Sequence, residues 1–265
     1  MKLRYSLLLL SLLLGALPVW AAPLETSFFS WEVPNGWTVS RDPSGQWEMT
    51  APGRSPMVAV VSVGYLTTTP ELYLKGSVAV WRSQGLVEPM TPLLTERENQ
   101  AWFLVKHHPT PGEKPKVTIK WVRWRGAILV VTSFNTAQAD MESWVPQIQK
   151  IGAHLRIKKP VFEEAALRAE VDATLEKNQD TEKTLVDLAQ AKLDLNVARQ
   201  DWEPFFASDK PMLYRAYIDY LEARYDATFA IVAGPEMGMG RDVVESRMQG
   251  LTNRRDELRK ELHGF

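Results

Sequence analysis

Two incompatible periodicities meet at Pro160, and that junction constrains the fold more than any other feature of the chain. Before it lie short runs rich in Val, Ile, Trp and Phe, punctuated by Pro, Asn, Asp and Gly. Such runs read as strands. After it comes VFEEAALRAEVDATLEKNQDTEKTLVDLAQAKLDLNVARQDWEPFF, dominated by Ala, Leu, Glu, Lys and Gln, all good helix formers. The charge changes sign at the same place. Residues 22–159 carry 15 basic and 11 acidic groups, whereas residues 160–265 carry 14 and 21. The chain therefore divides into an α+β domain over 25–157 and a helical, coiled-coil-like region over 160–265.

The first 21 residues read as a signal peptide. Lys2 and Arg4 precede a leucine-rich run from Ser6 to Leu14, and Val19 and Ala21 fit the small-residue rule for cleavage before Ala22. An uncleaved anchor is disfavoured by the short span to Ala22 and by Pro18. The chain has no cysteine. An exported chain of this kind relies on its core and not on disulfides. Thiolate catalysis and cysteine-ligated metal centres are excluded, as is a bacterial lipid anchor on cysteine.

Within 25–157, Phe28–Val33 and Trp37–Arg41 read as short strands around Asn35-Gly36, with DPSG at 42–45 as a second turn and Trp47–Ala51 as a third strand. PMVAVVSVGYL is apolar on both parities, as in a strand covered on both faces. Thr69 caps a helix that starts at Pro70 and stops at Gly85, with Leu72, Leu74, Val78, Val80 and Trp81 as its apolar side, despite Gly76. Met90–Glu96 and AWFLVKHH are further strands. VTIKWVRWRGAILVVTSFN, from Val117 to Asn135, reads as a hairpin with Arg125-Gly126 as the turn, placing Trp124 opposite Ala127, Val122 opposite Leu129 and Trp121 opposite Val130. One face collects Val117, Ile119, Trp121, Ile128, Val130 and Phe134. The other collects Val122, Trp124, Ala127, Leu129 and Val131, interrupted only by Lys120. Both faces need cover, so the indoles belong to a core and not to a nucleic-acid platform, and the near-neutral total charge gives no support for one. Met141–Ile151 is a terminal helix that either starts late or kinks at Pro146, and Leu155–Ile157 a last strand.

This order of elements, FFSWEVPNGW, PELYLKGSVAVW, GAILVVTSFNT and IGAHLRI, resembles the PsbP-like and DcrB-like superfamily over about 25–157. The resemblance implies a twisted antiparallel β-sheet flanked by helices and a mostly non-enzymatic role as accessory subunit, envelope protein or chaperone. It supplies no position-specific functional residue.

In the tail, Leu167, Val171 and Leu175 make one stripe, and Leu185, Leu188, Leu193, Leu195 and Val197 resume it. KNQDTEK between them has no apolar face and either lies exposed or splits the helix. Leu213, Tyr217, Tyr220, Leu221, Tyr225, Phe229 and Val232 form a second stripe, capped at Ser208, and Val244, Met248, Leu251, Leu258 and Leu262 a third, with Arg255 in the missing seam position. The prediction is a long α-helical hairpin or three-helix region.

No nucleophile elbow, phosphate loop or metal-protease motif is present. His107 and His108 are adjacent on a strand and point to opposite faces, so no metal is expected there, and no cofactor is called for. The reading is an exported, non-enzymatic protein-binding or scaffold protein of the bacterial envelope, with another envelope protein, or a second copy through the helical region, as partner. Arg123 and Arg125 at the hairpin turn, Met237 and Met239 in the loop GPEMGMG, and Arg255 are the candidate partner-binding residues. The competing readings are a periplasmic hydrolase, built on a residue such as His107 with a nearby acid, and a membrane-surface factor. The mixed polar side of the long tail helix, Asp219, Glu222, Arg224 and Asp226, disfavours the latter.

Overall fold

The computed structural model describes residues 23–53, 57–83, 99–107, 112, 114–180, 185–206 and 209–264. The expected leader, the helix stop at Gly85, the strand Met90–Glu96, His108 and the Ser208 cap lie outside these residues. The fold is α+β: antiparallel sheets with helices, followed by a helical C-terminal region, as the sequence pattern predicts.

The strands are β1 (Leu24–Glu25), β2 (Phe29–Trp31), β3 (Thr38–Arg41), β4 (Trp47–Thr50), β5 (Val58–Tyr65), β6 (Gln100–Lys106), β7 (Lys116–Arg125), β8 (Ile128–Ala137) and β9 (Leu155–Ile157). Six form one antiparallel sheet in the order β3-β4-β5-β8-β7-β6, and three form a small sheet in the order β1-β2-β9. Asn35-Gly36 is therefore not a hairpin turn. It carries the chain from the small sheet at β2 to the large sheet at β3. The DPSG segment is the true hairpin loop. There Asp42 Oδ1 accepts from the backbone N–H groups of Ser44 and Gln46, and Gly45 takes φ of +79°.

Helix α1 (Pro70–Ser83) covers one face of the large sheet, and α2 (Met141–Ala153) with the small sheet covers the other. The β7–β8 hairpin joins the two layers. Its loop is Gly126-Ala127, because Arg125 pairs with Ile128, Trp124 with Leu129, Val122 with Val131 and Trp121 with Thr132. Gly126 has φ of +59° at the first central position, as a type II′ loop requires. The expected register is thus displaced by two residues. A slip of two leaves every side chain on its own face, whereas a slip of one would invert them. The expected inner set of Val117, Ile119, Trp121, Ile128, Val130 and Phe134 is buried together.

Trp121 is only 4% exposed. It stacks on Trp102 with ring centroids 4.4 Å apart and donates from its indole nitrogen to Gln100 Oε1 at 2.8 Å. Gly152 of α2 lies against its ring: a Cβ there would sit 1.7 Å from a ring carbon. Pro146 falls in the second turn of α2, which begins at Met141 and runs through it.

The tail resolves into four helices among the described residues, and not the two or three expected: α3 (Glu164–Lys177), α4 (Leu188–Trp202), α5 (Met212–Val232) and α6 (Arg241–His263). The long stretch divides where its apolar stripe lapses. Asp187 then caps the second piece by accepting from Gln190 N–H at 2.9 Å. The buried seam of α4 runs through Ala191, Leu195, Ala198 and Trp202, while Leu193 and Val197 are half-buried. Leu167, Val171 and Leu175 of α3 are buried as expected, each contributing about 1.5–3 kcal/mol of hydrophobic stabilisation. The seam of α5 drifts from the aromatic stripe onto Arg224, Ala227 and Thr228. Arg224 is thus not on the polar face. It is buried and donates to Asp194 Oδ2 at 2.8 Å. Within the bundle core, Glu170 accepts from Trp202 Nε1 at 2.9 Å and from the Tyr217 hydroxyl at 3.1 Å. No helix among the described residues is long and apolar enough to cross a membrane.

The tail rests on the sheet domain at its β3–β4–β5 end. Phe205, in the turn after α4, packs in a tilted arrangement on Phe28 with ring centroids 4.5 Å apart. Asn196 Nδ2 donates to the Pro43 carbonyl at 2.7 Å.

Candidate functional site

The α1 face of the large sheet has two halves. Toward the β7–β8 loop it is apolar: Val122 and Leu129 are buried with Leu74 and Phe103 beneath α1. Farther along it turns polar. Strand alternation places Lys120 opposite Phe103 and Ser133, and Ser62 opposite Val131. Where the two halves meet, a groove of about 540 Å³ runs between α1 and the sheet. Lys120, Ser62, Ser133 and Gln46 line its sheet side, and Leu72, Gly76, Val80 and Trp81 its helix side.

Among the described residues, Lys120 is the only cation lining the groove. Its ammonium lies 4.5 Å from the centroid of the Trp81 ring, and among the described residues no carboxylate pairs with it. Burial pushes its pKa below the ordinary lysine value. Such a group attracts an anion.

The helix side differs from expectation. Leu74 is buried, and Tyr73, Val78 and Trp81 pack beside it. Leu72 and Val80 are not core residues: they are 59% and 51% exposed. Thr69 caps α1, accepting at its hydroxyl from Leu72 N–H at 3.3 Å.

The five residues proposed from the sequence lie in three separate places. Arg123 and Arg125 donate to the backbone carbonyls of Leu155 and Ile157, fastening β9 to the large sheet, and Arg123 also lies 4.8 Å from the centroid of the Trp121 ring. Met237 is 64% exposed at the α5–α6 turn, whereas Met239 is half-buried beside Gly234. Arg255 is half-buried in the α6 seam, its nearest acid being Asp256 of the same helix at 3.6 Å.

Two histidines have defined partners. His107 Nε2 lies 2.6 Å from Thr118 Oγ1, and the Thr118 hydroxyl donates to Asn135 Oδ1 at 2.6 Å. Since the one hydroxyl proton goes to Asn135, Thr118 accepts from a protonated Nε2. Among the described residues, His107 thus has a threonine and not an acid as its side-chain partner. His154 Nδ1 meets Glu32 Oε2 at 2.7 Å, and neither of these residues lines the groove. No group of three or more potential metal ligands occurs among the described residues.

Sequence reasoning missed the groove although it noticed two of its parts. Lys120 interrupts an apolar face, and Gly76 interrupts a helix. Each is an oddity alone, and only the fold brings both to one place.

No family model matches the chain, and no curated protein matches it. Among solved structures, cyanobacterial PsbP (CyanoP) from Synechocystis is similar with 12% identity and a TM-score of 0.40, covering 54% of this chain and 96% of that one. It bears the family name that the order of sequence elements resembles. A crystal structure from Bacteroides thetaiotaomicron is similar with 12% identity and a TM-score of 0.35, covering 78% of this chain and 76% of that one. At these TM-scores neither likeness carries an argument about activity.

Proposed function

We propose that the chain is an exported, non-enzymatic protein-binding protein of the bacterial envelope, and that the end of its helical tail is the docking surface. The observation that carries this reading is the α5–α6 turn. Val232, Met237 and Val243 are all exposed there, within a dozen residues. Arg241 and Glu245 beside them pair with each other at 2.7 Å, while exposed Glu236 and Asp242 leave the rim acidic. An apolar tip with an acidic rim and an adaptable methionine at its centre fits an apolar patch with a basic border on a folded partner. The leader-like first 21 residues support export, and the partner is another envelope protein or a second copy.

The absence of native cysteine makes a clean test available. Met237→Cys introduces a single thiol for a photocrosslinker, and Gln249→Cys on the exposed flank of α6 serves as control. In intact envelope, Met237→Cys is expected to give one discrete adduct that Gln249→Cys does not. Identical adduct patterns from both positions would contradict the proposal.

A further inference from the structure

We infer that the groove between α1 and the sheet binds a small organic carboxylate with an apolar body. Three observations converge. The first is the half-buried ammonium of Lys120 at the groove floor, which meets no carboxylate among the described residues, with the hydroxyls of Ser62 and Ser133 and the amide of Gln46 around the same space. One positive charge among neutral donors neutralises a monoanion. A phosphate dianion would be left with uncompensated charge.

The second is Gly76. It sits in the middle of α1, where glycine costs about 0.5–1 kcal/mol relative to alanine. Packing does not demand it: a Cβ at Gly76 would meet nothing within 4 Å. Its φ lies outside the positive range that favours glycine. The residue keeps a notch open along the groove, and the notch acquires a purpose when a ligand lies in it.

The third is the pair of exposed side chains flanking that notch. Leu72, Gly76 and Val80 stand at successive spacings of four, so they share one face of α1, and all three line the groove. Leu72 and Val80 thus form apolar shoulders on either side of the glycine. The carboxylate sits at Lys120 and the apolar body lies across Gly76 between the shoulders. A volume of about 540 Å³ falls within the usual range for small-ligand pockets.

Isothermal titration of the full chain with octanoate tests this, with octanol and inorganic phosphate as parallel probes. Saturable binding of octanoate is expected, with octanol and phosphate much weaker. Lys120→Met keeps the stem and removes the charge. It is expected to weaken octanoate binding roughly tenfold to a hundredfold while leaving octanol unchanged. Gly76→Ala is expected to raise the melting temperature and yet weaken octanoate several-fold, which a purely structural role for the glycine does not produce. Lack of saturable octanoate binding, tighter binding of phosphate, or unchanged affinity in both variants would each overturn the assignment.

Discussion

Arg41 of the sheet domain and Asp201 of the helical tail, 160 residues apart in sequence, form a two-point ion pair. One guanidinium nitrogen donates to Oδ1 at 2.7 Å and to Oδ2 at 2.9 Å. The same guanidinium lies 3.9 Å from the centroid of the Trp47 ring and donates to the Gly45 carbonyl. A basic domain and an acidic tail thus share a fixed ion pair. The side chains are 17% and 35% exposed, so solvent screens the pair only in part. Asp201→Ala is expected to cost about 1–3 kcal/mol in urea unfolding, less than for a fully buried pair. Arg41→Ala is expected to cost at least as much, since it also removes cover from Trp47. A double-mutant cycle with coupling near zero would show that the pair does not join the two parts.

Gly45 is predicted to be irreplaceable for a different reason. Its φ of +79° disfavours any side chain, and a Cβ would lie 2.6 Å from the Asn196 carbonyl carbon. That atom is backbone and cannot rotate away. Gly45→Ala is expected to destabilise by about 1–3 kcal/mol and to separate unfolding into two transitions as α4 lifts from the β3–β4 loop. A single transition at the wild-type midpoint would contradict this.

Gly152→Ala tests the opposite layer. The added methyl collides with the Trp121 ring, which is held by Trp102 and Gln100. The expected cost is about 1–3 kcal/mol, measured by chemical denaturation. Pairing it with Trp121→Leu, which vacates the space, should make the two costs less than additive.

His107 gives a pH signature. Burial, with Lys120 and Lys116 nearby, lowers its pKa from the ordinary 6.5. Below pH 6.5 the unfolded chain takes up a proton that the folded chain still refuses. The stability associated with neutral His107 is therefore complete above 6.5 and is lost as pH falls through the lower folded value. His107→Gln retains a donor toward Thr118 and cannot titrate. Wild type should lose stability relative to this variant as pH drops below 6.5, and the difference should be flat above it. Parallel curves across pH 5–8 would contradict the assignment.

Much of the fold is written locally. The parity of VTIKWVRWRGAILVVTSFN assigns every side chain of the central hairpin to its face, because alternation survives a two-residue register error. Thr69-Pro70 marks the start of α1, and the lapse of apolar spacing in KNQDTEK marks the end of α3. What local pattern does not contain is the pairing between distant segments. Asn35-Gly36 has the composition of a hairpin turn, yet β2 finds its partner at β9, more than 120 residues later. Arg224 has the appearance of a surface residue until Asp194 is placed beside it. The groove is hidden for the same reason: Lys120 and Gly76 lie on elements whose contact is decided by Phe103, Leu74 and the rest of the layer between them. Arg123 and Arg125, chosen for their place at the turn, are occupied by β9 carbonyls that no short-range pattern reveals.

The most direct measurement is the affinity of the purified crosslinked partner for the chain carrying Met237→Asp or Val243→Asp, set against wild type. Each substitution places a charge at an exposed position of the apolar tip. At least a roughly tenfold loss of affinity with an unchanged melting temperature is the predicted result. Unchanged affinity in both variants would show that the partner does not dock at the end of the helical tail.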